Sequence, residues 1–219
     1  MGYLPEALRN YLARLGWSHA DDEIFSSEQA ADWFELGAIG KGPARFDFAK
    51  LQNVNGHYIR NSADAELLAQ LERILPEIEG GQAFAARLDA DLRQRVLALM
   101  PALKERAKTL VELFRSAEFL TADRPLKPDE KAAALLTPES RPRLGRLAAA
   151  LRETPWTAPE LEAAVRAFSD AEGAKLGQVA QPLRAALTGS AASPPIFDVL
   201  VALGREESLA RLADQSGQA

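Results

Sequence analysis

Apolar residues recur at helical spacing through most of this 219-residue chain. Between Pro5 and Gly16 they fall three or four positions apart, and a proline at the start with a glycine at the end is typical of one complete helix. Strand-like alternation is weak everywhere, with a short stretch near residues 38–47 as the one candidate. The pattern predicts an all-α fold of multi-helix bundles in series.

Polar residues mark several of the predicted helix starts. Ser26 and Thr157 each stand three residues before a glutamine or glutamate, the spacing of a capping box. Asp47 and Ser62 are of the types that cap a helix, and each precedes an apolar-periodic segment. We therefore expect all four side chains to accept backbone hydrogen bonds at helix N-termini.

Prolines interrupt two of the longer helical segments. The stretch from about Gln82 to Leu120 contains Pro101, which is expected to break or kink it into two helices. Pro182 is expected to divide or kink a later helix in the same way.

Two changes in composition indicate domain boundaries. EIEGGQ at 77–82 and the proline-bearing TADRPLKPDE at 121–130 separate blocks of helical pattern. They divide the chain into three predicted domains, which cover residues 1–76, 77–120 and 121–219.

Composition restricts the classes of function. The chain has no cysteine, so disulfides and thiolate metal sites are excluded, and its apolar runs are too short to span a membrane. We expect a cytoplasmic protein. The net charge of −5 argues against non-specific RNA binding, but residues 141–152 contain four arginines and no acid. A basic face on an acidic body is therefore compatible with the sequence.

The sequence gives little support for catalysis. His19 and His57 are its two histidines, and no carboxylate stands at metal-ligand spacing beside them, so no metal site is predicted. Nucleophile-elbow and glycine-rich phosphate-loop motifs are also missing from the sequence. The chain alone is predicted not to be an enzyme.

The segment LRAALTGSAASPPIF at 183–197 is the strongest candidate site. Its pattern predicts a helix that ends near Thr188, a left-handed Gly189, a loop of small residues and a new helix begun by two prolines. Free amides at a helix start favour phosphate, and proline and phenylalanine faces accept unstacked bases. The alternative is an ordinary turn between helices whose Ile196 and Phe197 enter the core.

Three separated segments resemble the carboxyl half of bacterial glutamyl-tRNA synthetases, which are class I enzymes. They are GYLPEALRNYLARLGWSHADDEIFS from residue 2, FDFAKLQNVNGHYIR from residue 46, and KLGQVAQPLRAALTG followed by SPPIFDVLVALG from residue 175. The family usually has glycine where Ala20 stands and tryptophan where Asn53 stands, which puts packing around Asn53 in doubt. Its H-I-G-H and K-M-S-K-S motifs are missing from this sequence.

The resemblance implies the role of each predicted domain. Residues 1–76 would form a stem-contact domain, and 77–120 and 121–219 two anticodon-binding helical domains, the last an α-helical cage. The partner would be tRNA(Glu), with tRNA(Gln) left open, and the chain would act as a monomer. ATP and Mg²⁺ would bind a catalytic domain outside this chain, so no cofactor is expected here. The competing hypothesis is a helical protein-interaction module that has lost tRNA binding.

The resemblance also implies the site residues. Arg184 would hydrogen-bond a base edge, and Ser193, Pro194, Ile196 and Phe197 would cradle the second and third anticodon bases. A further basic residue on the preceding domain would also read the anticodon; Arg106 is the first choice and Lys108 the rival.

Overall fold

The computed structural model describes residues 1–40 and 42–217. Thirteen α-helices and three short 3-10 helices lie in these ranges, and the described residues contain no strand, which confirms the all-α prediction. The helices are α1 Pro5–Gly16, α2 Ser27–Trp33, α3 Phe48–Asn61, α4 Asp64–Ile74, α5 Gly81–Arg87, α6 Ala90–Arg106, α7 Leu110–Ala117, α8 Glu130–Leu135, α9 Ser140–Leu151, α10 Ala158–Ala171, α11 Leu176–Thr188, α12 Ile196–Leu203 and α13 Arg205–Gln215. The 3-10 helices are Leu36–Ala38, Leu75–Glu77 and Glu118–Thr121.

The chain folds into two compact units. Unit 1 comprises Met1–Ala85 with Leu103–Arg115, and unit 2 comprises Ala86–Ala102 with Ser116–Ala219. Each unit is therefore built from two separate stretches of chain, whereas the sequence predicts three consecutive domains. The predicted three-domain division stays a prediction.

Unit 1 is organised around a buried asparagine on α3. The Asn55 side chain is fully buried; its Oδ1 accepts a hydrogen bond from the Leu4 amide at 2.7 Å, and its Nδ2 donates to the Lys108 carbonyl at 2.5 Å. Because a buried amide must satisfy both of its ends, this residue fixes the start of the chain and the turn before α7 onto α3. Asn53, two residues earlier, is exposed, so no packing in unit 1 depends on it.

The predicted caps of unit 1 are partly confirmed. The Ser26 hydroxyl accepts from the Gln29 amide at 3.1 Å, and Gln29 Oε1 accepts from the Ser26 amide at 2.8 Å, which completes the capping box before α2. Asp47 accepts from the amides of the first turn of α3, as predicted. The prediction for Ser62 is wrong, because its hydroxyl donates back to Tyr58 and so closes α3.

Unit 2 is a bundle in which α11 packs against α8, α9, α10, α12 and α13. Its interior contains a guanidinium: Arg211 on α13 is 2% exposed. Its Nη1 donates to the carbonyls of Leu187 at 2.6 Å and Phe119 at 3.0 Å, and its Nε donates to Glu207 at 2.6 Å. Burial lowers the pKa of Arg211, while Glu207 acts in the opposite direction. This side chain ties the last turn of α11 to α13.

The structure shows no helix break at Pro101 or Pro182 and no side-chain cap at Thr157, where the sequence predicted a break or kink at each proline and a cap at the threonine. α6 continues from Ala90 to Arg106 through Pro101, and the breaks fall before and after it, since a missing amide removes only one hydrogen bond of a long helix. Pro182 likewise lies within α11 without dividing it. Thr157 precedes α10 without a side-chain cap, because Pro159 occupies the first turn and leaves one amide fewer to satisfy.

Candidate nucleic-acid interface

The corner between α11 and α12 is fixed by hydrogen bonds within the loop. Gly189 ends α11 with φ +71°, as predicted, and its amide donates to the Ala185 carbonyl at 2.9 Å. The Thr188 hydroxyl donates to the Arg184 carbonyl at 2.9 Å and accepts from the Ser190 amide at 3.3 Å. Ile196 starts α12, and the Pro195 carbonyl accepts the first intrahelical bond, from the Val199 amide at 3.1 Å.

Arg184 braces this loop from α11. Its Nη1 donates to the carbonyls of Ser193 at 3.1 Å and Pro194 at 2.9 Å, and it also contacts the Ser193 hydroxyl. The Ser193 hydroxyl donates in turn to the Pro194 carbonyl at 2.8 Å. A charged donor shared among carbonyls is among the stronger hydrogen-bond arrangements in proteins, so the loop has a defined shape before any ligand binds.

The structure brings five of the seven predicted site residues together in unit 2, at different depths. Pro194 and Ile196 are buried, and Arg184, Ser193 and Phe197 are partly exposed. Ile196 therefore enters the core, as the alternative interpretation of the sequence required, while Phe197 keeps part of its ring at the surface. Exposed Pro195 was not among the predicted residues, although it is the second proline of the same motif.

Lys127 is a cation beside the corner that the sequence analysis missed. The chain at 127–129 runs against Gly189: the Asp129 amide donates to the Gly189 carbonyl at 2.8 Å, and a methyl group built on Gly189 would lie 3.5 Å from the Lys127 carbonyl. Lys127 itself is exposed. Only the fold brings this linker residue to the corner, so no local sequence signal identifies it.

The two remaining predicted residues belong to unit 1. Arg106 ends α6 and is exposed, and Lys108 is exposed in the turn that follows. The backbone at Lys108 is held at both polar groups, since its amide donates to Glu112 at 2.8 Å and its carbonyl accepts from Asn55. Both cations are therefore presented to solvent from a fixed backbone.

Two of the four arginines at residues 141–152 pair with acids, which reduces the basic face that the sequence allows. Arg146 donates through Nε to Glu172 at 2.9 Å, and Arg143 lies 3.5 Å from the same carboxylate. Arg141 donates to backbone carbonyls, including that of Gln215 at 2.8 Å. The segment itself contains no acid, but Glu172 at the C-terminal end of α10 pairs with two of its arginines.

Membrane and metal sites are not seen in the parts of the chain that the structure describes. None of the described helices is long and apolar enough to cross a membrane. No cluster of three or more histidine, aspartate or glutamate side chains there could hold a metal ion. His19 instead stacks on Trp33, with ring centroids 4.3 Å apart, and pairs with Asp22 at 3.0 Å.

Comparison with known families identifies the class of protein to which this helical bundle and its proline-bearing loop belong. Residues 62–215 match the family described as "Anticodon binding domain". That match covers more than half of the chain and includes α11, the loop and α12.

Curated relatives give the particular family. The chain is 62% identical over 217 residues to glutamate–tRNA ligase from Bradyrhizobium sp. (strain ORS 278), covering 99% of this chain and 45% of the relative. It is 60% identical over 217 residues to the ligase of Rhodopseudomonas palustris (strain TIE-1), covering 99% and 46%. The chain belongs to the anticodon-binding domain family of glutamate–tRNA ligases.

Solved structures show the same fold. A crystal structure of a glutamate tRNA ligase from Elizabethkingia meningosepticum in complex with its amino acid aligns with a TM-score of 0.82 and 28% identity, over 99% of this chain and 42% of that one. The synthetase from Elizabethkingia anophelis aligns with a TM-score of 0.78 and 28% identity, over 98% and 41%. The chain thus spans about half the length of the curated relatives it matches.

Proposed function

We propose that this chain binds tRNA(Glu) and recognises its anticodon at the corner between α11 and α12. The observation that carries the proposal is the brace from Arg184 to Ser193 and Pro194, which holds a preformed loop within the family-matched region. A preformed loop lowers the entropic cost of binding an RNA that must itself unstack.

Exposed groups at the corner have distinct roles in this proposal. Phe197 and Pro195 offer apolar faces on which unstacked bases pack, a contact worth about 1–3 kcal/mol per base for an aromatic ring. Lys127 provides a phosphate contact beside the loop. Buried Pro194 and Ile196 contribute by setting the shape of the surface above them.

Arg184 acts in two ways at this site. Its Nη1 holds the loop, and a base edge engages the guanidinium by displacing part of this loop network. The first role supports binding of any anticodon, and the second discriminates among bases.

The wider activity follows from the relatives. We propose that the full protein ligates glutamate to tRNA with ATP and Mg²⁺ bound outside this chain, as a cytoplasmic monomer, with tRNA(Gln) as a second substrate to be tested. Arg106 and Lys108 remain the proposed anticodon contacts on unit 1.

Filter binding of the 219-residue chain to a tRNA(Glu) transcript, and to a transcript with a substituted anticodon, tests the proposal across a range of salt. The wild-type chain should prefer the natural anticodon, and its affinity should fall steeply as salt rises. Arg184→Ala should weaken binding about ten- to hundredfold, the equivalent of one or two base contacts. Lys127→Ala should lower the salt slope by about 1 while it leaves anticodon preference unchanged.

The control is Arg166→Ala, which removes an exposed arginine of α10 paired with Glu162 on the same helix. It should bind like the wild type. Equal loss for both transcripts with Arg184→Ala would assign this residue to the brace alone. Unchanged affinity of Arg184→Ala for both transcripts would contradict the proposal that the corner between α11 and α12 binds the anticodon.

A further inference from the structure

The face of α13 that enters unit 2 is mostly polar. This helix lies wholly within the described range and buries four residues, and three of them, Ser208, Arg211 and Gln215, have polar side chains. A helix in a bundle normally buries an apolar stripe, because a buried polar group without a hydrogen-bond partner destabilises the fold. The three residues are three and four positions apart, so they share one side of the helix. We call them the α13 polar stripe.

Two members of the α13 polar stripe hold the linker at 122–129, which joins the 3-10 helix Glu118–Thr121 to α8. Arg211 Nη2 donates to the Ala122 carbonyl at 3.4 Å, and Gln215 Nε2 donates to the Leu126 carbonyl at 3.1 Å. The Leu126 carbonyl belongs to the peptide group that continues into Lys127. Gln215 therefore fixes the backbone immediately before the exposed cation of the corner.

The amide of Gln215 is held at both of its ends. While Nε2 donates to Leu126, Oε1 lies 3.5 Å from Nη1 of Arg141, and the same Nη1 donates to the Gln215 carbonyl at 2.8 Å. Gln215 is 6% exposed. Loss of this amide would therefore remove a buried hydrogen bond to the linker that solvent cannot readily replace.

The chain after Lys127 is fixed to the corner itself. The Asp129 amide donates to the Gly189 carbonyl at 2.8 Å, and a methyl group built on Gly189 would lie 3.5 Å from the Lys127 carbonyl. Lys127 is thus held by Gln215 on one side and by Gly189 on the other, although its own side chain is exposed. A fixed backbone restricts the volume that a flexible amine explores, which lowers the entropic cost of a contact with a ligand.

We propose that Gln215 is a positioning residue for tRNA binding and that it acts through Lys127. It sets the backbone from which the Lys127 amine reaches a phosphate beside the corner, and its own side chain is too deeply buried to contact RNA. The inference rests on the proposed function, since it requires the phosphate contact of Lys127. It extends the site to the last helix of the chain, outside the motif at 183–197.

A double-mutant cycle separates this role from a general effect on stability. Gln215→Met keeps most of the side-chain volume and removes the donor to Leu126. In filter binding to the tRNA(Glu) transcript it should lower the salt slope by about 1, as Lys127→Ala does, because one phosphate contact is lost. The double variant should have the salt slope of Lys127→Ala alone, because both changes remove the same contact.

Ser169→Ala is the matched control. It removes another buried hydroxyl of unit 2, which donates to the Ala174 carbonyl at 2.7 Å and does not contact the linker. It should lower the melting temperature and keep the wild-type salt slope. A wild-type salt slope for Gln215→Met would overturn the proposal. So would a double variant whose salt slope falls by the sum of the two single changes.

Amide hydrogen exchange without tRNA distinguishes a failure of this proposal from a failure of the proposed function. Exchange at Asp129 should accelerate about fivefold in Gln215→Met, the equivalent of one hydrogen bond, and should stay constant in Ser169→Ala. If the wild-type chain bound no tRNA, the proposed function would fail, and accelerated exchange would still support the positioning of Lys127. Unchanged exchange at Asp129 would overturn the positioning role whatever the tRNA result.

Discussion

The connections before α3 and before α12 are built in opposite ways. Before α3, residues 34–47 place their large apolar side chains in solvent, although Tyr11 and Trp17, which fix the segment, are buried. Before α12, Pro194 and Ile196 are buried, and Arg184 and Arg211 anchor the loop and the helix end from below. The second connection buries its apolar side chains within its own unit, whereas the first exposes them to solvent.

The polar anchors also differ in charge, since Arg184 and Arg211 are cations and Tyr11 contributes a neutral hydroxyl. A hydrogen bond to a buried charge contributes more than an exposed one, and its loss leaves partners that water cannot reach. Removal of an anchor should therefore cost least where solvent can replace it. Arg211→Met, Tyr11→Phe and Glu172→Gln test this ordering, and Ala20→Gly tests a backbone turn of unit 1.

Arg211→Met should have the largest effect. It removes the donors to Leu187 and Phe119 and leaves both carbonyls inside unit 2, at a cost of about 3 kcal/mol in the free energy of unfolding. Urea denaturation followed by circular dichroism measures it. Arg166→Ala, an exposed arginine, should change the same quantity by less than about 0.5 kcal/mol. A loss below 1 kcal/mol for Arg211→Met would show that the buried anchor is dispensable.

Tyr11→Phe should have an intermediate effect. It deletes the hydroxyl that accepts from the Asp47 amide and keeps the ring that contacts Phe46, so the cost is one hydrogen bond, about 1 kcal/mol. The change is local, and amide hydrogen exchange at Asp47 should accelerate while exchange in α12 stays constant. Uniform acceleration across both units would contradict a local role.

Local chemistry made much of the fold predictable. The caps at Ser26 and Asp47 and the left-handed turn at Gly189 depend on residues within four positions, and the structure confirms all three. The prediction that Ser62 caps α4 was wrong. A serine hydroxyl can close one helix or start the next, and the neighbouring sequence does not decide between the two. The predicted break at Pro101 is absent, because α6 continues through this residue from Ala90 to Arg106.

The candidate site was predictable as a segment but not as a surface. The motif at 183–197 indicated a loop between helices, yet residue depth follows from the bundle, which buries Pro194 and exposes Pro195. The pairing of Glu172 with Arg146, and the approach of Lys127 to Gly189, join residues that are remote in sequence. Spacing along the chain contains no information on such pairs.

Ala20→Gly should stabilise unit 1 slightly. Ala20 adopts φ +44° in a turn closed by a 3.1 Å bond from the Asp22 amide to the His19 carbonyl. A left-handed alanine costs about 1–2 kcal/mol, and glycine gives back part of that through its greater freedom in the unfolded chain, which leaves a gain of about 0.5 kcal/mol. Thermal unfolding should shift upward by about 1–2 °C. A lower melting temperature would show that the Ala20 methyl group makes a needed contact.

Glu172→Gln should have the smallest effect, because its partner Arg146 is 54% exposed and water screens the pair. The hydrogen bond from Arg146 holds the pKa of Glu172 below its usual range. A carboxyl with a lowered folded-state pKa adds stability above its unfolded pKa of about 4.3, and loses it as pH falls through the folded value. The melting temperatures of wild type and Glu172→Gln should thus differ slightly at pH 7 and converge near pH 3. Glu160→Gln, an exposed α10 glutamate, corrects for the general effect of one charge. A gap that persists at pH 3 would mean that the side chain acts through packing and not through its charge.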